Sequence, residues 1–365
     1  MTRRLLWVSL PDQRARRELY WMSRMPDTAV TALAKDRPVG DLTWVPSAYR
    51  RPVTRFVEAG ALAWVRGLGD QDPGEFDWVA SLELCSLVTG QAARWRRRSP
   101  RPGHRRPLQA VLTWENLPHQ PLYRIPPYRS AVAASRGADL LLCMVDAARD
   151  HLLALDFPDE LIRVVKPGVD TDLFRPAEQP VADPVVVFCS PLEENKGIDR
   201  VLDAMAMVRR VVPEARLVVA GRGRLEGLVR AAAERDPDAV VLSGSLDAAG
   251  VAALLRTAAV FVTAPRPTWK WTEQLGLAYL EALACGLPIV TTRCGSNGEA
   301  VQPPNERVED DPEALATALV GWLTDPERRR VVGRHNRLRA RTHHDLATQC
   351  AAMGAAFGSV EAARR

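Results

Sequence analysis

The chain has 365 residues, 25% of them charged and 47% hydrophobic, and carries a formal net charge of +5. This length suits two domains with substantial cores, and the composition is that of an ordinary soluble globular protein. No stretch approaches the roughly 20 apolar residues that span a bilayer, and Met1-Thr2-Arg3-Arg4 leads into a short strand rather than a signal-peptide core, so a cytoplasmic protein is expected.

The charge is unevenly placed. Residues 1–180 hold 26 basic and 21 acidic groups, and the remainder holds 23 of each. Seven arginines crowd into Arg94–Arg106, among Pro100, Pro102 and Gly103. Such a run suits a solvated loop, or a surface drawn to anionic lipid at the inner membrane face or to a phosphorylated acceptor. No nucleic-acid-binding motif accompanies it. The cysteines at 85, 143, 189, 285, 294 and 350 are scattered without a Cys-x-x-Cys pair, and the six histidines lack ligand spacing; buried thiols are expected, and neither disulfides nor a metal.

Taken in order, Leu5–Ser9 reads as a buried strand ended by Pro11, and Gln13–Met25 as an amphipathic helix. Strands follow near Leu42–Val45 and Phe76–Ser81, then a helix from Leu82 to Arg96 ahead of the arginine loop. Leu108–Thr113 is a strand leading into Trp114-Glu115-Asn116, and Leu140–Val145 another. Strands and helices alternating at this spacing indicate a parallel, doubly wound sheet.

The segment 161–176, LIRVVKPGVDTDLFRP, closes this half, and residues 177–183 read as a linker. The same logic then restarts. Strands are expected at Pro184–Cys189, Ala215–Ala220, Val240–Leu242 and Val260–Val262, separated by helices at Gly197–Val211, Arg224–Arg235 and Ala248–Thr257. A helix from Asp311 to Leu323 and a basic helical stretch from Asp325 complete the chain. The expected division is a first domain over 1–176, a second over 184–335, and a last helical segment over 336–365.

The most patterned stretch is EQLGLAYLEALACGLPIV, Glu273 to Val290. Apolar residues from Leu275 to Cys285 recur at helical spacing, Gly286 and Pro288 stop the helix, and Ile289–Thr292 is a strand by composition. Two acids interrupt the pattern, Glu273 ahead of the helix and Glu281 eight residues later. The first turn, Gln274-Leu275-Gly276-Leu277, offers unpaired N–H groups and partial positive charge to a diphosphate, and Gly276 lets a ligand approach the backbone. Glu281 can accept both hydroxyls of a ribose, and Glu273 those of a transferred sugar.

This stretch resembles the signature of the retaining family-4 glycosyltransferases: two glutamates eight apart, then an E-A-x-A-C-G-x-P-V/I-V pattern. Glu273, Gly276, Glu281, Ala282, Cys285, Gly286, Pro288 and Val290 stand at its positions. The resemblance implies an α/β architecture of two Rossmann-like domains, the GT-B fold, with a cleft between them. It also implies a UDP- or GDP-linked sugar as co-substrate, with no other cofactor and no essential metal. Residues 161–176 resemble the family's interdomain junction. Lys196-Gly197 resembles the end of its G-R-L-x-x-x-K-G motif, with Lys196 neutralising the diphosphate, although Ser190 and Pro191 stand where Gly and Arg are usual. Gly221-Arg222-Gly223-Arg224-Leu225 resembles the family's G-x-G-x-L turn, and Gly295 lies in a turn resembling its phosphate-facing loop. Trp114-Glu115-Asn116 resembles the W-E/Q-N of a subgroup.

In the family, a His commonly follows D-x-V on the third strand; here Ala80 follows Asp77-Trp78-Val79, with Glu83 the nearest sizeable polar group. The expected activity is a retaining glycosyl transfer by front-face attack to a glycan, a lipid-linked or a small-molecule hydroxyl. Glu273 and Lys196 would be catalytic. The nucleotide sugar would be held by Glu281, Gln274, Leu275, Gly276, Leu277, Ser190, Gly221 and Gly295, and the acceptor by Glu83, Glu115 and Asn116. A sugar-nucleotide epimerase of the same fold and a degenerate homologue paired with an active partner are the alternatives.

Overall fold

A computed structural model describes residues 2–364 except 9–13, 39, 51–62, 99–104, 118–120, 127, 180 and 270. Residues 1–166 with 347–365 form one compact unit and residues 167–346 a second.

The first unit is built on seven parallel strands: β1 (Arg3–Val8), β2 (Thr28–Ala34), β3 (Thr43–Pro46), β6 (Trp78–Leu82), β7 (Leu108–Thr113), β8 (Leu140–Cys143) and β9 (Ile162–Val164). Their order is β3-β2-β1-β6-β7-β8-β9. Outside the sheet, β4 (Tyr49–Arg50) and β5 (Trp64–Val65) form a short antiparallel pair. Helices α1 (Arg14–Met22), α2 (Leu87–Trp95), α3 (Tyr128–Ser135) and α4 (Asp146–Ala154) connect the strands. Leu5 to Val8 of β1 and Leu140 to Cys143 of β8 are wholly buried apolar runs, because both faces of a parallel sheet are covered.

The second unit has six parallel strands: β10 (Val185–Cys189), β11 (Arg216–Ala220), β12 (Val240–Gly244), β13 (Val260–Thr263), β14 (Ile289–Thr292) and β15 (Glu306–Val308). Their order is β12-β11-β10-β13-β14-β15. Helices α5 (Ile198–Val211), α6 (Glu226–Arg235), α7 (Ala248–Leu255), α8 (Leu277–Ala284), α9 (Pro312–Leu323) and α10 (Pro326–His343) complete it. Its core joins Val186 and Phe188 of β10, Val260 and Val262 of β13, Val201 and Met205 of α5, and Leu319 and Trp322 of α9. Helix starts follow the sequence: Asp247, Asp311 and Asp325 each accept a first-turn N–H, and Pro312 and Pro326 occupy positions that need no donor. In both sheets the strand order reverses beside the first strand, at β1/β6 and at β10/β13. The C-terminal strand ends at such a switch point are where open α/β sheets bind ligands.

Several boundaries differ from expectation. The units divide after Lys166 rather than after Pro176, because the intervening segment is tied to the end of α10. Val169 N–H donates to the His344 carbonyl (2.8 Å), Leu346 N–H to the Val169 carbonyl (3.0 Å), and the Thr171 hydroxyl to Asp345 (2.8 Å). Residues 177–183 and 336–346 also fall in the second unit. The last helix, α11 (Leu346–Ala363), serves the first unit from Ala347 onward. Glu361 accepts from Arg3 (2.6 Å) and from the Trp78 indole (2.7 Å), and Phe357 packs edge-on against Trp78 at 4.7 Å between ring centroids.

Helix α2 begins at Leu87, not Leu82, since Ser86 supplies the cap to Val88 N–H. Strand β2 was not anticipated; its TAVTALA sequence lacks the large apolar side chains that mark the other strands. Of the arginine run, residues 99–104 lie outside the described residues. Arg96 pairs with Asp139 and donates to the carbonyls of Pro107 and Gly137, and Arg98 donates to the Gly69 carbonyl. No described helix is long and apolar enough to cross a membrane.

Candidate active site

In the second unit, the loops after β10 and β13 meet at the switch point. The chain leaves β10 through a short turn, Glu194–Lys196, and the loop after β13 carries Trp271 and Glu273. Lys196 Nζ donates to Glu273 Oε2 at 2.7 Å, with side chains 19% and 9% exposed, and stands 4.4 Å from the centroid of the Trp271 ring. An ammonium has three donors, so this pair uses one and leaves capacity for an anion. Withdrawing both charges this far from water is costly, and a site that holds them together is poised for a ligand that exchanges with one of them.

The Glu273 backbone is fixed from below by the turn after β14. Ser296 N–H donates to the Glu273 carbonyl (2.8 Å), and Gly295, at φ +51°, lies so near that a Cβ would come 2.2 Å from that oxygen. Side-chain bonds from Asn297 to the carbonyl of Thr292 (2.8 Å) keep the turn in place. Sequence reasoning placed Gly295 here, but for phosphate contact rather than for support of Glu273.

The helix of the patterned stretch starts later than expected. Gly276 is its cap, at φ +81°, with the Tyr279 ring 2.4 Å from where a Cβ would stand, so no larger residue fits. Gln274 and Leu275 therefore precede the helix, and Leu275 is wholly buried packing. The first-turn N–H groups of α8 begin at Leu277. Leu277, Ala278 and Glu281 share the half-buried face, since residues three and four apart are neighbours on a helix. Burial, and after it the charge of Glu281, pushes the Cys285 thiol up to about 12. The Tyr279 hydroxyl bonds Thr263 (2.7 Å) and Thr291 (2.8 Å), and burial followed by the nearby Glu273 charge raises it well above its usual value.

Ser190 and Gly221 are brought together at the ends of β10 and β11, where a Cβ on Gly221 would come within 2.1 Å of the Ser190 carbonyl. Arg266, one cation that could stand in for the missing motif arginine, holds Asp199 through two bonds of 2.9 and 2.7 Å and donates to the Glu194 carbonyl. Arg222 and Arg224 are exposed. Trp271 and Tyr279 were missed by sequence reasoning. Trp271 carried a usable signal, an aromatic two residues before Glu273; Tyr279 read as ordinary helix packing.

In the first unit, Glu83 ends β6 with its backbone at φ +64°, a conformation rare outside glycine. Its carboxylate accepts from the Thr113 hydroxyl (2.9 Å) and from Trp114 N–H (3.1 Å), which fixes it over the end of β7. Glu115 accepts from Leu117 N–H (2.9 Å), and Asn116 is half-buried beside it. The predicted acceptor residues thus share one strand-end cluster. Ala80 is wholly buried within β6.

Residues 183–325 match the family model described as glycosyl transferases group 1. That match takes in most of the second unit. The chain is 34% identical over 234 residues to a D-inositol 3-phosphate glycosyltransferase of Segniliparus rotundus, covering 59% of this chain and 50% of that one. It is also 34% identical over 218 residues to a GDP-mannose-dependent alpha-(1-6)-phosphatidylinositol monomannoside mannosyltransferase of Mycolicibacterium smegmatis, covering 54% and 57%. The chain therefore spans about half the length of these curated relatives. A solved structure of Anabaena Alr3699/HepE in complex with UDP superposes with a TM-score of 0.74 at 15% identity, over 98% of this chain and 100% of that one. That likeness gives two Rossmann-like domains of the GT-B type for the whole chain.

Proposed function

We propose that this chain is a group-1, retaining glycosyltransferase that moves a sugar from a UDP- or GDP-linked donor to an acceptor hydroxyl without a metal. The observation that carries the reading is the Lys196–Glu273 pair, 2.7 Å apart at the switch point of the second sheet and continuous with the start of α8. The relatives' names add GDP-mannose as a donor, and the HepE structure holds UDP.

In this reading Lys196 and the first turn of α8 stabilise the diphosphate as negative charge develops on it, an electrostatic effect worth most in a site shielded from water. Glu281 accepts the ribose hydroxyls, and Glu273 the hydroxyls of the sugar. The bond from the anomeric carbon to the diphosphate oxygen breaks as the acceptor oxygen bonds that carbon from the same face. The departing diphosphate takes the acceptor's proton, so configuration is retained. The acceptor lies on the strand-end cluster of the first unit, at Glu83, Glu115 and Asn116.

The test is release of nucleoside diphosphate from UDP- and GDP-sugars, with the product's anomeric configuration read by NMR. Acceptor-dependent release with retention supports the proposal. Conversion of the donor without acceptor means an epimerase, inversion removes the front-face mechanism, and no release with any donor leaves a degenerate homologue.

A further inference from the structure

The two loops that carry Lys196 and Glu273 are fastened to each other by one arginine. Arg266 follows β13 and precedes Glu273 on the same loop. Its backbone N–H donates to the Asn195 carbonyl at 3.1 Å, and its Nε to the Glu194 carbonyl at 2.9 Å. Its Nη2 reaches both oxygens of Asp199, in the first turn of α5, at 2.9 and 2.7 Å. Lys196 lies between these anchor points in the chain, directly after Asn195 and shortly before Asp199. The backbones touch as well. Gly197, at φ +71°, would place a Cβ 1.8 Å from the Ala264 carbonyl oxygen, so only glycine lets the turn come this close. The start of the loop is held from β14, where the Thr292 hydroxyl donates to the Pro265 carbonyl.

We infer that Arg266 is a positioning residue: by clamping the Glu194–Lys196 turn to the loop that carries Glu273, it holds the Lys196 ammonium where the diphosphate binds. The inference rests on the transferase reading given above and adds a residue to it. The ammonium of Lys196 is a point charge on a long flexible stem, so its place depends on how firmly the backbone beneath it is held. A charged group carried on a loop is placed accurately only when bonds outside the site fix that loop. Arg266 suits this work because its planar fork meets a carboxylate at two points and keeps Nε–H for a carbonyl. It is committed to the clamp: its side chain is 25% exposed and that of Asp199 33%. Neutralising Asp199 serves the same end, since a bare carboxylate at the start of α5 repels a diphosphate beside it. Glu273 takes the sugar's hydroxyls and lies 2.7 Å from Lys196, so Lys196 stands at the sugar end of the diphosphate. That end is the second phosphate, which UMP and GMP lack.

The experiment measures, by calorimetry on the full chain below its melting temperature, the affinities of UDP, UMP, GDP and GMP. The proteins compared are the wild type, Arg266→Ala, Arg266→Lys, Asp199→Ala and the Arg266→Ala/Asp199→Ala double variant. In Arg266→Ala the diphosphate-to-monophosphate affinity ratio should fall about ten-fold, about 1.4 kcal/mol, with monophosphate affinity unchanged. Arg266→Lys keeps the charge without the fork and should lose nearly as much. Asp199→Ala should lower the ratio too, and the double variant should fall no further than Arg266→Ala alone, because the two side chains act as one unit. A merely structural role for Arg266 weakens both kinds of nucleotide alike and leaves the ratio where it was. A wild-type ratio in Arg266→Ala, full rescue by Arg266→Lys, or additive losses in the double variant overturns the inference. Should Arg266→Ala fail to fold, the ratios in Arg266→Lys and Asp199→Ala decide it in the same way. If the wild type binds neither UDP nor GDP, it is the transferase reading that falls, and the inference with it.

Discussion

The two strand-end sites handle charge in opposite ways. In the second unit an acid is neutralised on the spot, with Glu273 paired to Lys196 and its backbone braced by Gly295. In the first unit Glu83 is held by Thr113 and Trp114, Trp114 also holds Glu18, and Glu18 is kept neutral by burial instead. The contrast fits a division of labour: a cation-bearing site suits a diphosphate, and an acid-bearing site suits hydroxyls.

The largest expected effect falls on the ion pair. Lys196→Ala takes the ammonium away from the buried Glu273 carboxylate, which should destabilise the fold by about 3 kcal/mol and remove transfer by about two to three orders of magnitude. Adding Glu273→Ala should restore much of the melting temperature while transfer stays lost. Thermal unfolding and initial rates separate the two effects, and equal recovery of both would erase the distinction between the sites.

Next comes Gly295→Ala, in which the new methyl meets the Glu273 carbonyl at 2.2 Å and the backbone must leave φ +51°. Nucleotide affinity should fall by about ten-fold or more, about 1.4 kcal/mol, as measured by calorimetry. A substitution that binds nucleotide normally would show that the Glu273 position does not matter.

A pH effect tests the first unit. Folded Glu18 keeps its proton up to about 8, whereas the unfolded chain loses it near the ordinary value of 4.5. Between those values the unfolded state binds fewer protons, so Glu18 lowers stability as pH rises, by up to about 1.4 kcal/mol per unit. Denaturant titrations of wild type and Glu18→Gln from pH 5 to 8 should diverge in this direction. The smallest effect serves as a control: Arg149→Ala removes a surface pair with Asp159, 39% and 59% exposed, and should change stability by less than about 1 kcal/mol.

The second unit was the more legible from sequence because its chemistry is local. Glu273, Gly276 and Glu281 lie on one loop-and-helix segment, and helical spacing alone puts Glu281 under the helix start. Its strands are dense in valine and α9 and α10 carry Asp-Pro starts, so most element ends are legible within a residue or two, β15 excepted. The cluster in the first unit draws on Glu18, Glu83 and Trp114, which only strand order brings together. Glu18 carries no motif of its own, and its burial depends on the indole of Trp114, 96 residues away in the chain. The late start of α8 was hidden for another reason. Leu275 fits helical periodicity, yet Gly276 adopts a left-handed backbone that sets the helix start two residues later, at Leu277.

The central claim is that Lys196 and Glu273 mark the diphosphate site, and nucleotide-induced stabilisation reads it directly. Titrating UDP and GDP against the melting temperature of the wild type and of the Lys196→Ala/Glu273→Ala variant should give a rise with the logarithm of concentration for at least one nucleotide in the wild type, and no rise in the variant. The same rise in both proteins would contradict the account.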